Sequence, residues 1–375
     1  MKILFTRFPL ESAEGGAERQ TFSLMRGLRD RGHEVSFLGS CPVILKWCDE
    51  AGIPTTKLDI GAPPVTKWGG VSFLWRQFGM KRKLQEARSK IQVDSVVMLS
   101  LNEKLLLHSQ LPTLNSQLFW LEHDPVGRWL TKNPWLPRLR KLSRQVTTIG
   151  VSELSRKIYI DLGWDPEKVI AIPNGIDVAR FPLSNPPPTG EGRVGANEQP
   201  ATTALRIGTV SRLAHEKGID LLLRAIEHLP NVRLHIVGKG PEEDVLKKLA
   251  DDLKIADRVR FEPRVDDLAS FYQSLDAFVL PSRTHDPFGL VAAEAMALGV
   301  PTIVTDMCGI ASHLKDDEAL IVPANSTKAL SEAILKLGNP ELREKMSATG
   351  SQAISERLTT NHMIDTYEDL LTNRI

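Results

Sequence analysis

The order of the apolar runs constrains this chain more than any single motif. "KILFT" (2–6) is a short apolar run. "AERQTFSLMRGLRDRGH" (17–33) then sets Phe22, Leu24, Met25 and Leu28 largely on one helical side, and "EVSFLG" (34–39) follows as a strand. The alternation continues through "DSVVML" (94–99), "QLFWLE" (117–122), "VTTIGVS" (146–152) and "VIAIP" (169–173). It stops at "FPLSNPPPTGEGRVGANEQPATTA" (181–204), rich in Pro, Gly and small polar residues, which reads as a linker or exposed loop. It resumes with "RIGTV" (206–210), "VRLHIVG" (232–238), "RVRFE" (258–262), "AFVLPS" (277–282), "PTIVT" (301–305) and "ALIVP" (319–323). Strands joined by helices must cross over, so the chain predicts an α/β protein with two doubly wound parallel sheets. A length of 375 residues suits two such domains.

The predicted division is a first domain over 1–185, a linker over 186–204 and a second domain over 205–357. The tail (340–375) is helical with no strand after it, and Met363, Tyr367, Leu370 and Leu371 are spaced for one face. Its last part, about 358–375, is predicted to pack back on the first domain.

Charge separates the halves. Residues 1–200 hold 27 Lys and Arg against 20 Asp and Glu, whereas 201–375 hold 20 against 26, so the net +1 hides a basic first half. Two readings are open: an anionic partner such as a membrane surface, or a solvated basic face. Nucleic acid is not an expected partner. The cysteines, Cys41, Cys48 and Cys308, are odd in number and scattered, which gives neither a disulfide framework nor a metal cluster and fits a reducing, cytoplasmic setting. Arg7 and Glu11 interrupt the N-terminus too early for a signal peptide, and no run approaches 18 apolar residues.

Several chemistries lack their motif. The chain has no P-loop, no dinucleotide fingerprint after the first strand, no nucleophile elbow and no Asp-x-Asp. No metal and no bound cofactor is expected.

In open α/β sheets ligands bind beyond the carboxyl ends of strands, so the residues there are the candidates. Gly15 and Gly16 stand where the first helix begins, either admitting a phosphate to backbone amides or serving as a plain loop pair. His123, after "QLFWLE", can bond a substrate hydroxyl or be incidental to a turn at Asp124-Pro125. Arg212 and Lys217 can converge on a diphosphate or be ordinary surface cations. Gly238 opens a strand-to-helix turn, though the acidic helix start beyond it explains itself by dipole matching.

The most informative stretch is "HDPFGLVAAEAMALG" (285–299). Amides of Phe288, Gly289 and Leu290 at a helix start would form an anion site, with Asp286 beside them and Glu294 farther along the helix. Two separated carboxylates flanking an anion site suit a sugar nucleotide, whose hydroxyls lie on both sides of its diphosphate. The plainer alternative is a turn residue and a helix surface acid.

Taken together, "GGAERQTFSLMRGLRDRGHEV", "EHD", "GVSELSRKIYIDLG", "VIAIPNGIDVARF", "SRLAHEKGIDLLLRAI", "LHIVGKGPEED", "VRFEPRV" and "LDAFVLPSRTHDPFGLVAAEAMALGVPTIVT" resemble the retaining glycosyltransferases of family four. They occur in that family's order and cover most of the chain.

The resemblance implies the GT-B fold, two Rossmann-like domains facing a central cleft, and transfer of a sugar from a UDP- or GDP-sugar to a glycan or lipid-linked acceptor without metal. It implies that Gly15 and Gly16 lie near donor phosphates and acceptor, and that His123 lies by the transferred sugar. Arg212 and Lys217 would neutralise the leaving diphosphate, and Arg264 and Val265 would frame the base. Glu294 would bind the ribose, Asp286 the sugar, and Phe288 to Leu290 sugar and phosphate.

One departure stands out. The family pattern is Glu, seven residues, Glu, and here the first acid is Asp286, one methylene shorter. A GT-B epimerase, a phosphorylase, for which no cofactor-lysine signature is seen, and a non-catalytic sugar-nucleotide binder are the competing readings.

Two segments, "WRQFGMKRKLQEARSK" (75–90) and "WLPRLRKLSRQ" (135–145), mix apolar residues and cations. Each suits either an anionic membrane on the cytoplasmic side or a solvated helix with one core stripe.

Overall fold

The computed structural model describes residues 1–9, 15–88, 92–107, 116–180 and 204–372. The predicted linker, apart from Ala204, lies outside them. The chain forms two compact units, Met1–Gly175 with Thr360–Ile375, and Ile176–Thr359.

The first unit holds strands β1 (Lys2–Arg7), β2 (Glu34–Gly39), β3 (Thr55–Lys57), β4 (Ser95–Met98), β5 (Gln117–Glu122), β6 (Thr147–Gly150) and β7 (Val169–Ala171). They pair in the order β3-β2-β1-β4-β5-β6-β7, every pair parallel. Phe5 of β1 lies between Phe37 of β2 and Val97 of β4. β4 is buried throughout and β5 nearly so, because helices cover both faces of the sheet. Those helices are α1 (Gly16–Asp30), α2 (Pro42–Glu50), α3 (Lys67–Arg88), α4 (Leu101–Leu107), α5 (Arg128–Thr131), α6 (Leu136–Ser143) and α7 (Glu153–Asp161). Strand β3 was not anticipated: Thr55, Thr56 and Lys57 are all exposed at the sheet edge, so no apolar alternation marks them.

The second unit holds β8 (Leu205–Val210), β9 (Val232–Val237), β10 (Val259–Glu262), β11 (Ala277–Leu280), β12 (Thr302–Thr305) and β13 (Leu320–Val322), in the order β10-β9-β8-β11-β12-β13, again all parallel. Its helices are α8 (Ile219–Ile226), α9 (Glu243–Asp252), α10 (Leu268–Gln273), α11 (Leu290–Ala297), α12 (Thr327–Lys336) and α13 (Pro340–Arg357). Ser326 caps α12 and Asn339 caps α13, each side-chain oxygen accepting from first-turn amides. Ile207, Leu222, Ile226, Ile236, Val279, Ile303 and Ile334 form the buried centre.

The last helix, α14 (Thr360–Leu371), belongs to the first unit and packs on α1. Gly27 makes the approach: a Cβ there would lie 2.1 Å from Ile364. Arg31 adds ion pairs to Asp365 (2.5 Å) and Glu368 (2.8 Å), and His33 contacts Glu368 at 3.0 Å.

The chain leaves the first unit at Gly175, ahead of the Pro/Gly-rich segment, and not near residue 185 as the composition predicted. Hydrogen bonds place the boundary there. Gly175 O accepts from Gln20 within the first unit, while Ile176 N donates to Leu358 O and bridges Thr359 within the second. The outgoing and returning strands of chain thus pass side by side.

In both sheets the strand order reverses beside the first strand, between β1 and β4 and between β8 and β11. Loops leaving the carboxyl ends of those neighbours diverge, and ligands bind there.

Candidate functional site

In the second unit the loops after β8 and β11 meet. After β8, a 3-10 turn (His215–Lys217) ends at Gly218, whose φ is +66°. A Cβ at Gly218 would lie 2.2 Å from the Pro281 carbonyl, so only glycine lets the turn press against the end of β11. Arg283 fixes the contact. Its guanidinium holds both Asp220 oxygens at 2.6 Å, and its amide donates to Glu216 O at 2.8 Å.

This brings Lys217 Nζ to 2.7 Å from Asp286 Oδ2, where Ser282 Oγ also donates at 3.2 Å. Asp286 is buried, and its backbone is pinned to the next loop through Met307 O and Gly309 N, both at 2.9 Å. Burial works against the Lys217 ammonium, but Asp286 more than offsets it and raises the pKa. Asp286 is therefore more than a turn residue. Arg212 is paired otherwise: exposed, it bonds Glu216, so the two cations anticipated to converge engage different acids.

Helix α11 starts from Gly289, in the left-handed region at φ +90°, with no side-chain cap on its first turn. Phe288 is buried and its carbonyl accepts from Ile310 N. Alanines and Met296 bury the helix, and Glu294 is its one charged residue. Glu294 accepts from the hydroxyl of Tyr272 on α10 at 3.0 Å, which holds the carboxylate near the first turns. Gly238, at φ +145°, follows β9, and Arg264 and Val265 follow β10, Arg264 exposed. These residues share the carboxyl edge of one sheet with Lys217 and Asp286.

In the first unit, Gly15 caps α1 with extended backbone and Gly16 is its first residue. Beyond the switch-point strands lies a buried ionic array that single-residue reading missed. Arg7, at the end of β1, pairs with Glu18 at 2.6 Å and approaches Asp124 at 3.9 Å. Lys104, on α4, pairs with Glu122 at 2.8 Å, and Glu122 accepts from Tyr159 at 2.9 Å. Burial pushes the neighbouring Glu103 carboxyl up to about 8. A sequence signal existed: "NEK" (102–104), four residues beyond the end of the buried strand β4, places two charges in the short helix α4.

His123, directly after β5, is pulled down to about 3, by burial first and then by Arg7 and Lys104. That shift predicts a neutral imidazole through the physiological range. Unfolded, it takes a proton near 6.5; folded, only near 3, so between these values the unfolded chain binds more protons. This contribution to stability is complete above about pH 6.5 and is lost as pH falls toward 3. An NMR titration is expected to show no protonation of the His123 ring between pH 8 and 5. A ring titrating near 6.5 would refute the assignment.

Among the described residues no three His, Cys, Asp or Glu side chains gather as a metal site, and no helix is long and apolar enough to cross a membrane.

Comparison with known proteins agrees with this layout. Residues 196–353 match the family described as Glycosyl transferases group 1, and residues 14–180 match Glycosyltransferase Family 4. The chain is 33% identical to the lipopolysaccharide core biosynthesis glycosyltransferase LpsD of Rhizobium meliloti, over 99% of this chain and 98% of that protein. It is 30% identical to a phosphatidyl-myo-inositol mannosyltransferase of Mycolicibacterium smegmatis, over 91% of this chain and 86% of that one. In fold it is similar to HepE of Anabaena, solved in complex with UDP, with a TM-score of 0.80 and 20% identity over the whole of both chains. A glycosyltransferase from Rickettsia africae superposes with a TM-score of 0.77 at 17% identity, over 99% and 98% of the two chains. The two parallel sheets, the loops meeting at their switch points and the two family matches lead to one assignment: this chain is a GT-B glycosyltransferase and belongs to the group 1 glycosyl transferases of family 4.

Proposed function

We propose that the protein transfers a sugar, with retention and without a metal ion, from a UDP- or GDP-sugar to a glycan or lipid-linked acceptor of the cell envelope. The observation that carries the donor assignment is the Lys217–Asp286 pair at the β8–β11 switch point, with Glu294 held by Tyr272 on the same sheet edge. Lys217 supplies the positive charge that a departing diphosphate requires, and the uncapped start of α11 adds its dipole. An entering diphosphate competes with Asp286 for the ammonium and frees that carboxylate for a sugar hydroxyl. Glu294 accepts from the ribose hydroxyls. Retention follows if the leaving phosphate oxygen takes the acceptor proton on the same face, so no protein base is assigned. Neutral His123 then serves as a hydrogen-bonding partner of the sugar.

The envelope acceptor is supported by the lipopolysaccharide-core and phosphatidyl-inositol relatives, and the sugar-nucleotide donor by the neighbour solved with UDP. The three cysteines are buried thiols outside any disulfide, which fits a cytoplasmic site of action.

A thermal-shift panel of UDP-, GDP- and ADP-sugars tests the reading. One nucleotide class is expected to stabilise the wild type, by about 2.7 kcal/mol at a hundredfold excess over Kd. EDTA should leave the shift intact and Glu294→Ala should abolish it. No shift with any donor in a folded sample refutes the donor site.

A further inference from the structure

Glu294 is placed by more than its own helix. Ala292, Ala293, Ala295, Met296 and Ala297 of α11 are buried, and Glu294 stands among them only half-buried. A glutamate side chain has several rotatable bonds, so its carboxylate sweeps a wide arc unless something holds it. Tyr272 holds it. Its hydroxyl donates to Glu294 Oε2 at 3.0 Å, from a residue 22 positions earlier in the chain.

Tyr272 is itself fixed. The residue is fully buried in α10, and its ring meets Phe278 of β11 edge-on at 5.5 Å and Phe271 at 5.8 Å. Phe271 in turn meets the His235 ring edge-on at 5.0 Å. Asp267 caps α10, its carboxylate accepting from Ser270 N at 3.0 Å. Gly208 of β8 lets this layer settle onto the sheet: a Cβ there would lie 2.5 Å from Leu275 and 3.0 Å from Phe271. Burial, and then the Glu294 charge, push the Tyr272 phenol well above its ordinary value, so it stays a protonated donor.

A buried hydroxyl needs a partner, and a backbone carbonyl would serve. Two features point beyond that need. The partner is the one charged residue of α11, which makes the bond charge-assisted. The anchor is also rigid where the anchored group is not: a fully buried ring ties down a side chain that solvent still reaches. Such support from behind is how a binding group is held ready for its ligand.

We infer that Tyr272 is a positioning residue for the donor's ribose: it holds the Glu294 carboxylate in the direction that accepts from the ribose hydroxyls, and so makes the site select ribonucleotides over 2′-deoxyribonucleotides. This rests on the assignment of Glu294 to the ribose. Fully buried, Tyr272 acts only through Glu294. Without the phenol, the carboxylate has to be ordered at the moment of binding, and that cost falls on the ligands that bond it most. A 2′-deoxy nucleotide offers one hydroxyl fewer and loses less.

Titration calorimetry of the full chain with UDP, GDP, 2′-deoxy-UDP and 2′-deoxy-GDP tests the inference. Whichever base binds, the wild type is expected to prefer the ribonucleotide about tenfold or more. Tyr272→Phe keeps the ring and its packing, and should keep the wild-type circular dichroism. It should weaken the ribonucleotide about tenfold but the deoxy form only about twofold, so that most of the preference disappears. Glu294→Ala should erase the preference, and adding Tyr272→Phe to it should change nothing further, because the two residues act as one unit. Equal weakening of both nucleotide forms by Tyr272→Phe would make the tyrosine a packing residue, and an unchanged preference would remove it from recognition. Either result overturns the inference and leaves the donor site standing. A wild type that binds none of these nucleotides, or binds them without regard to the 2′-hydroxyl, fails the reading of Glu294 itself and this inference with it.

Discussion

Lys217→Ala is expected to lower kcat/KM by about a hundred- to a thousandfold, with the loss mainly in kcat. The Lys217 ammonium sits at the switch point of the donor unit, 2.7 Å from a buried carboxylate. Its charge matters most when the glycosidic bond breaks and negative charge builds on the leaving phosphate, so its loss weighs on the transition state more than on donor binding. Orphaning the buried Asp286 should lower stability, but the fold should survive, because Ser282 still donates to Asp286 and the Arg283–Asp220 pair still ties the two loops. Release of nucleotide from the stabilising donor, followed in steady state, gives the number. Asp286→Asn separates charge from geometry: it should cost less, since the ammonium remains. Activity of Lys217→Ala within about threefold of wild type would remove Lys217 from the mechanism.

The second large effect is on stability. Lys104→Ala leaves Glu122 buried with only Tyr159 as partner, since both members of the pair are under a tenth exposed. Breaking a buried pair on one side costs about 3–5 kcal/mol, a fall of roughly 10 °C in the melting temperature of the first unit. Removing both charges while keeping an acceptor for Tyr159, as in Lys104→Met with Glu122→Gln, should restore most of it. A double variant as unstable as Lys104→Ala would show that packing of the lysine stem, not an orphaned charge, is at stake. Loss of this cation should also let the His123 pKa rise, because Lys104 is one of the two charges holding it down.

The contrast between these residues shows what the sequence discloses. Parallel strands covered on both faces read as unbroken apolar runs, so β1, β4, β5, β11 and β12 were legible, while the exposed "TTK" of β3 carried no such mark. Lys217, Asp286 and Glu294 could be singled out because each stands just beyond a strand end or on the helix that follows. Their partners could not. Tyr272 reaches Glu294 from a neighbouring helix, and Lys104 and Glu122 meet from elements anchored by adjacent strands. Such pairings are properties of sheet order, which a linear pattern does not contain. The same holds for α3: the sequence supplies two apolar faces, and only packing shows that Phe73, Met80 and Leu84 meet the core while Trp68, Trp75 and Phe78 stay exposed.

The side-by-side passage of the chain at Ile176 and Thr359 sets an order of assembly during synthesis. The second unit is encoded wholly within the first, so α14 leaves the ribosome only after residues 176–359 have been made. Until then Gly27 and the α1 surface around it lack the helix that covers them. The nascent first unit waits, incomplete, with an apolar face open for the whole time its neighbour is being translated, and closes last.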